Sequence, residues 1–147
     1  MPFAGGVRVA TVIFYEKPGC AGNARQKDLL RRAGHELDTR DLLTWPWTVS
    51  ELRAFFTDLP VAEWFNRTAP RVKSGEVVPE ALPPEEALSA LLADPILIRR
   101  PLMQVGERRE AGFLAAVVDE WIGLAPAEPV VPRDAPLTQL GRGSRGR

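Results

Sequence analysis

The apolar positions of the chain follow two different rhythms. From Val9 to Tyr15 they form a short β-branched and aromatic run that stops at Pro18-Gly19, the pattern of a buried strand entering a turn. Good helix formers then extend from Ala21 to Ala33, and Gly34 stands where a helix stop belongs, so Cys20 is predicted at a helix N-terminus. From His35 to Leu42 polar and apolar residues mix, as they do in a strand near a sheet edge. The opening unit is therefore β-α-β.

The middle of the chain turns helical. Thr48-Val49-Ser50-Glu51 is a capping-box pattern, and Leu52, Phe55, Phe56 and Leu59 follow at helical spacing. A second short helix is expected over Val61 to Arg67, and a loop over Lys73 to Leu82. Pro83-Pro84 then introduces a helix with Leu88, Leu91 and Leu92 on one face, ending before Pro95. Leu102 to Val105, a turn at Gly106-Glu107 and Arg108 to Phe113 read as a hairpin, and Leu114 to Ile122 as a last helix ended by Gly123. The expectation is an α/β domain over 9–123 with a helical insert at about 48–94, an N-terminal extension over 1–8 and a Pro/Arg/Gly tail over 124–147. Prolines at 126, 129, 132 and 136 and the ending Gly-Arg-Gly-Ser-Arg-Gly-Arg predict a disordered tail.

Composition narrows the function classes. At 147 residues and 45% hydrophobic, the chain supports one core. Lys+Arg and Asp+Glu are 19 each, so no global field favours nucleic acid or a membrane surface as partner. The Arg-rich ending is too short to signal a specific nucleic-acid site. No apolar run approaches the about 18 residues of a membrane span, and the N-terminus is a poor signal peptide. One cysteine excludes an internal disulfide, and with one histidine it excludes a Cys/His zinc site of usual ligand count. A soluble cytoplasmic protein without a bound metal or cofactor is expected.

Cys20 is the candidate for chemistry. At a helix N-terminus, unpaired backbone N–H groups and the macrodipole favour a thiolate and cradle an oxyanion. The competing reading is a small buried hydrophobe at a packed turn, the commoner fate of free cysteine. Arg100 beside Pro101 gains weight only where the fold carries it to Cys20, and Arg67 reads first as simple surface charge. His35 reads as a surface residue rather than a base. The four tryptophans are expected to pack the insert and the last helix, with Trp45-Pro46-Trp47 the alternative of an exposed partner patch.

Two segments carry a resemblance: Phe14-Tyr15-Glu16-Lys17-Pro18-Gly19-Cys20, and Leu97-Ile98-Arg99-Arg100-Pro101-Leu102 ahead of the hairpin. From about Val9 to about Ile122 the chain resembles the arsenate reductase and Spx (ArsC-like) family, which implies a thioredoxin-like fold. Ala62-Glu63-Trp64-Phe65-Asn66-Arg67, Val72-Lys73-Ser74-Gly75-Glu76 and Arg99-Arg100-Pro101-Leu102-Met103-Gln104-Val105-Gly106 are similar to its nitrogenase-associated branch. The resemblance implies a catalytic thiol at Cys20, oxyanion-binding roles for Arg67 and Arg100, and a cis-proline at Pro101 facing the thiol. It also implies glutathione as co-substrate, with glutaredoxin or a nitrogen-fixation protein as partner. The alternative it carries is a non-catalytic module that docks on another protein, as Spx docks on RNA polymerase.

The chain departs from the family at three positions. Glu16 replaces a histidine that assists the thiolate, and a carboxylate there is expected to raise the thiol pKa. Gly112 aligns with a third arginine, for which Arg108 or Arg109 is a substitute. Asn23 stands where Spx proteins carry a second cysteine, which removes their disulfide switch.

Overall fold

The first apolar run forms β1, Thr11–Glu16, in a computed structural model that describes residues 9–126. The expected extension at 1–8 and the tail from 127 onward lie outside the described residues. Side chains alternate across a strand, so Val12 and Phe14 are buried on one side of the sheet while Ile13 and Tyr15 serve the other. β1 pairs in parallel with β2 (Glu36–Asp41), Ile13 opposite Asp38, and antiparallel with β3 (Leu102–Val105), Phe14 opposite Met103. β4 (Arg108–Ala111) closes the hairpin, and the order is β2-β1-β3-β4. β2 is an edge strand, as its mixed polarity predicts.

A parallel pair needs a crossover, here α1 (Ala21–Arg32). α1 and α5 (Ala115–Ile122) cover one face, where Leu30, Val118 and Ile122 meet Val12, Phe14 and Met103. Burying one such phenylalanine stabilises the fold by about 1.5–3 kcal/mol. The insert covers the other face, bringing Leu52, Phe55, Phe56, Trp64 and Leu91 onto Tyr15 and Leu102. This is the thioredoxin-like arrangement that the resemblance implies, with the insert between α1-β2 and the hairpin.

Inside the insert the helices are shorter than expected. The capping box at Thr48 forms, with Thr48 Oγ1 accepting from the Glu51 N–H at 3.1 Å, but α2 ends at Arg53 and continues as a 3-10 turn, Ala54–Phe56. The helix expected over Val61 to Arg67 is a single 3-10 turn, Val61–Trp64. Phe65 instead bridges Ile98 in extended backbone, so Arg67 stands clear of any helix. α3 (Pro70–Lys73) ends where the expected loop begins, a 3-10 turn at Pro79–Ala81 interrupts that loop, and α4 (Pro84–Ala93) starts at the double proline as predicted.

The expectation of a surface His35 is also corrected. His35 is buried at 5% exposure: its Nδ1 accepts from the Ala10 N–H at 3.1 Å, which leaves Nε2 to donate to the Gly123 carbonyl at 2.7 Å. It thus clips the entry of β1 to the end of α5, a contact between segments far apart in sequence. Leu124 packs on the same core and donates its N–H to Asp119 Oδ1 at 2.8 Å. Trp45 and Trp47 turn inward, their rings 5.5 and 4.7 Å from Tyr15, and Arg40 caps Trp45 at 4.7 Å. Both tryptophans are thus half-buried against the insert's core, and Pro46 between them is exposed. Among the described residues no helix is long and apolar enough to cross a membrane.

Candidate active site

Local contacts set the thiol. Cys20 leaves the strand-to-helix turn by donating its N–H to the Lys17 carbonyl at 3.0 Å, and it is the N-cap of α1 in extended conformation. Gly19 takes a φ of 84°, which a side chain would strain. Asn23, 2% exposed, is the brace of this turn. Its Oδ1 accepts from the Lys17 N–H at 3.0 Å, its Nδ2 donates to Gln26 Oε1 at 2.9 Å, and its own N–H points at Cys20 Sγ, 3.5 Å away. Asn23 thus braces the turn that carries the thiol.

Arg100 reaches the thiol through the sheet. Because Tyr15 pairs with Leu102, the residues just before β3 lie beside the turn that follows β1. The Arg100-Pro101 peptide is cis, as the resemblance implies, and Pro101 is buried. Burial, the largest single influence, pushes the Cys20 pKa up. It is outweighed by the Asn23 N–H, a hydrogen bond from the Arg100 side chain, the Gly22 N–H and the Arg100 charge, so the thiol lies below its ordinary value. Glu16 does not oppose this. Its carboxylate is held by Lys27 at 2.8 Å in a partly buried pair, and the expected rise in thiol pKa is absent.

Arg100 also has donors to spare. Its Nε and Nη1 are buried without a hydrogen-bond partner, a costly state that an anion would relieve. The side chain lines a cavity of about 510 Å³ together with Arg67, Arg99, Asn66, Glu63 and Glu80. The fold therefore brings Arg67 and Arg100 to one cavity, but Arg67 is half-exposed and bound to Glu80 at 2.7 Å.

The third cation is one that the sequence reading passed over. Arg108 pairs with Glu110 at 3.0 Å and lies over the Trp121 ring, and Arg109 donates to the Glu107 carbonyl. Neither lines the cavity. Arg99 does, with its guanidinium packed over Gly112: a Cβ there would meet Arg99 Nε, Nη2 and Cζ closer than 3.0 Å. Arg99 Nη1 donates to the Glu63 carbonyl at 3.2 Å and lies 3.6 Å from Glu63 Oε1. Nothing in the local sequence distinguishes Arg99 from Arg100: both line the cavity, and their different partners, Glu63 and Cys20, are set by the chain's path over the sheet.

Known proteins match this arrangement. The family model described as the ArsC family matches residues 15–121. An uncharacterized 15.7 kDa protein in the draG 3′ region of Rhodospirillum rubrum is 52% identical over 121 residues, covering 82% of this chain and 85% of its own length. The crystal structure of a protein related to the ArsC family from Bacteroides fragilis superposes with a TM-score of 0.67 at 24% identity, over 75% of this chain and 97% of that one. Arsenate reductase from Vibrio cholerae gives a TM-score of 0.63 at 18% identity, over 80% and 99% of the two chains, a likeness of fold.

Proposed function

The chain belongs to the ArsC family, and from that premise we propose that it is a monothiol oxidoreductase of the arsenate reductase type, with Cys20 as nucleophile. The observation that supports this most is Arg100: one guanidinium donates to a thiol of lowered pKa while two further N–H groups stand buried and unpaired beside an open cavity. A thiolate and a guanidinium with unpaired donors are what attack on an oxyanion requires.

In this reading Sγ forms a bond to the central atom of arsenate as one arsenate oxygen leaves as water, with Arg100 holding the remaining charge. A second thiol is needed to complete the reduction. The chain has one cysteine, so that thiol comes from another molecule, glutathione or a glutaredoxin. Asn23, Pro101 and Glu16 shape the site, the Glu16 carboxylate being held by Lys27. We place the protein in nitrogen fixation and in the cytoplasm, the first reading supported by its relative from the draG region. A nitrogen-fixation protein is then a further candidate partner.

The test is titration of the Cys20 thiol by alkylation rate, joined to turnover with arsenate, glutathione and glutaredoxin. A thiol titrating below its ordinary value and arsenate-dependent oxidation of glutathione are expected. An ordinary titration without turnover overturns the reading.

A further inference from the structure

Three arginines line the cavity, yet in the folded chain only one of them faces it without an acid partner. Arg67 is bound by Glu80 at 2.7 Å and Arg99 lies 3.6 Å from the Glu63 carboxylate, whereas Arg100 has two buried N–H groups with no partner. All five side chains border the same 510 Å³ space. The two pairs are not structural anchors of the core: side-chain exposure is 53% and 55% for Arg67 and Glu80, and 27% and 53% for Arg99 and Glu63. Ion pairs this exposed contribute little to stability and exchange partners readily.

We propose that Glu80 and Glu63 are specificity-determining residues of the site, latches that occupy Arg67 and Arg99 until a ligand carrying at least two negative charges displaces them. This inference rests on the reading of Arg100 as an anion-binding group and adds the class of ligand that the cavity selects. A monovalent anion finds Arg100 alone. A divalent oxyanion meets Arg100 first and then competes with two carboxylates for the flanking guanidinium groups, which can hold it in a bidentate manner once released.

The two latches differ in strength. The Glu80 carboxyl is held below its ordinary pKa by a backbone N–H at its own residue and then by Arg67, so the Arg67 latch stays charged in mildly acid solution. Arg99 keeps its bond to the Glu63 carbonyl whatever the state of the Glu63 carboxylate, so that latch is the weaker one. Gly112 serves the same arm, because only a residue without a Cβ leaves Arg99 its place beside the cavity.

Sulfate is a suitable probe, being divalent and inert toward the thiol. The measurement is the concentration of sulfate that halves the rate of Cys20 alkylation, at constant ionic strength, with nitrate as monovalent control. Glu80→Gln is expected to lower that concentration about two- to fivefold, Glu63→Gln by less, and Arg99→Ala to raise it about fivefold, with nitrate protection unchanged in each. Thermal unfolding of each variant establishes that it is folded. If sulfate protects the native chain and Glu80→Gln is protected no better, the latch is wrong while the anion site stands. If sulfate does not protect the native chain, or Arg100→Gln leaves its protection intact, the anion-site reading fails and the latch with it.

Discussion

The two walls of the site are built by opposite means. On the thiol wall, Lys17, Cys20, Asn23 and Gln26 lie within ten residues of chain, and the bracing side chain of Asn23 is 2% exposed. On the arginine wall, Arg67, Arg99 and Arg100 arrive from the insert and from the approach to β3, and two of them are held by exposed ion pairs. Buried neutral hydrogen bonds fix a position because leaving one unmade is costly. Exposed ion pairs fix little, because water and other ions offer nearly equal partners. The thiol is thus held still, while the arginines beside it are held by contacts that exchange readily.

The strongest way to break this contrast is Cys20→Ser, which leaves both walls in place but removes the thiolate. Turnover should be lost entirely, read as arsenate-dependent glutathione oxidation. Arg100→Gln tests the one residue that joins the walls. Removal of a charge-assisted hydrogen bond to the thiolate should slow alkylation at neutral pH about tenfold. The sign follows from the direction of the shift. A thiol whose pKa is lowered by folding is thiolate over a wider range than a free thiol, so the alkylation profile of the native chain lies on the acid side of the ordinary one, and Arg100→Gln moves it toward higher pH. The same linkage makes the native fold gain stability above the ordinary thiol pKa and lose that gain as pH falls through the lowered one.

Asn23→Ala sharpens the contrast from the thiol side. It strips two side-chain hydrogen bonds from a buried position and should cost about 1–3 kcal/mol, read as a fall in melting temperature, with slower alkylation as the turn loosens. The smallest effect is expected from Thr48→Ala, far from both walls, where loss of the N-cap costs about 1 kcal/mol in denaturant unfolding and leaves Cys20 alkylation unchanged. Equal effects of Asn23→Ala and Thr48→Ala on alkylation would show that the thiol wall is no more specifically braced than the rest of the fold.

How much of this was legible beforehand follows the same division. β1, the helix beginning after Cys20, the edge character of β2, the capping box and the hairpin were all readable, because each rests on residues that meet within a few positions. The helix expected over Val61 to Arg67 was lost to a tertiary competitor, the bridge of Phe65 to Ile98, which no local pattern records. His35 was read as a surface residue because its partners, Ala10 and Gly123, are brought to it only by the sheet and the last helix. Cys20, Arg67, Arg100, Pro101 and Asn23 were named from the sequence and its resemblance, whereas Arg99, Glu63 and Glu80 were not.

The sequence by itself determined the order of elements, the thiol at the head of α1 and the absence of a second cysteine, since composition and short-range periodicity carry that information without reference to the rest of the chain. Tertiary structure alone decided which of two adjacent arginines donates to the thiol, that Glu16 spends its charge on Lys27, and that Glu80 and Glu63 pair with Arg67 and Arg99. Electrostatic partnership depends on distances of a few ångströms between residues tens of positions apart, and those distances exist only once the sheet has paired and the insert has closed over it.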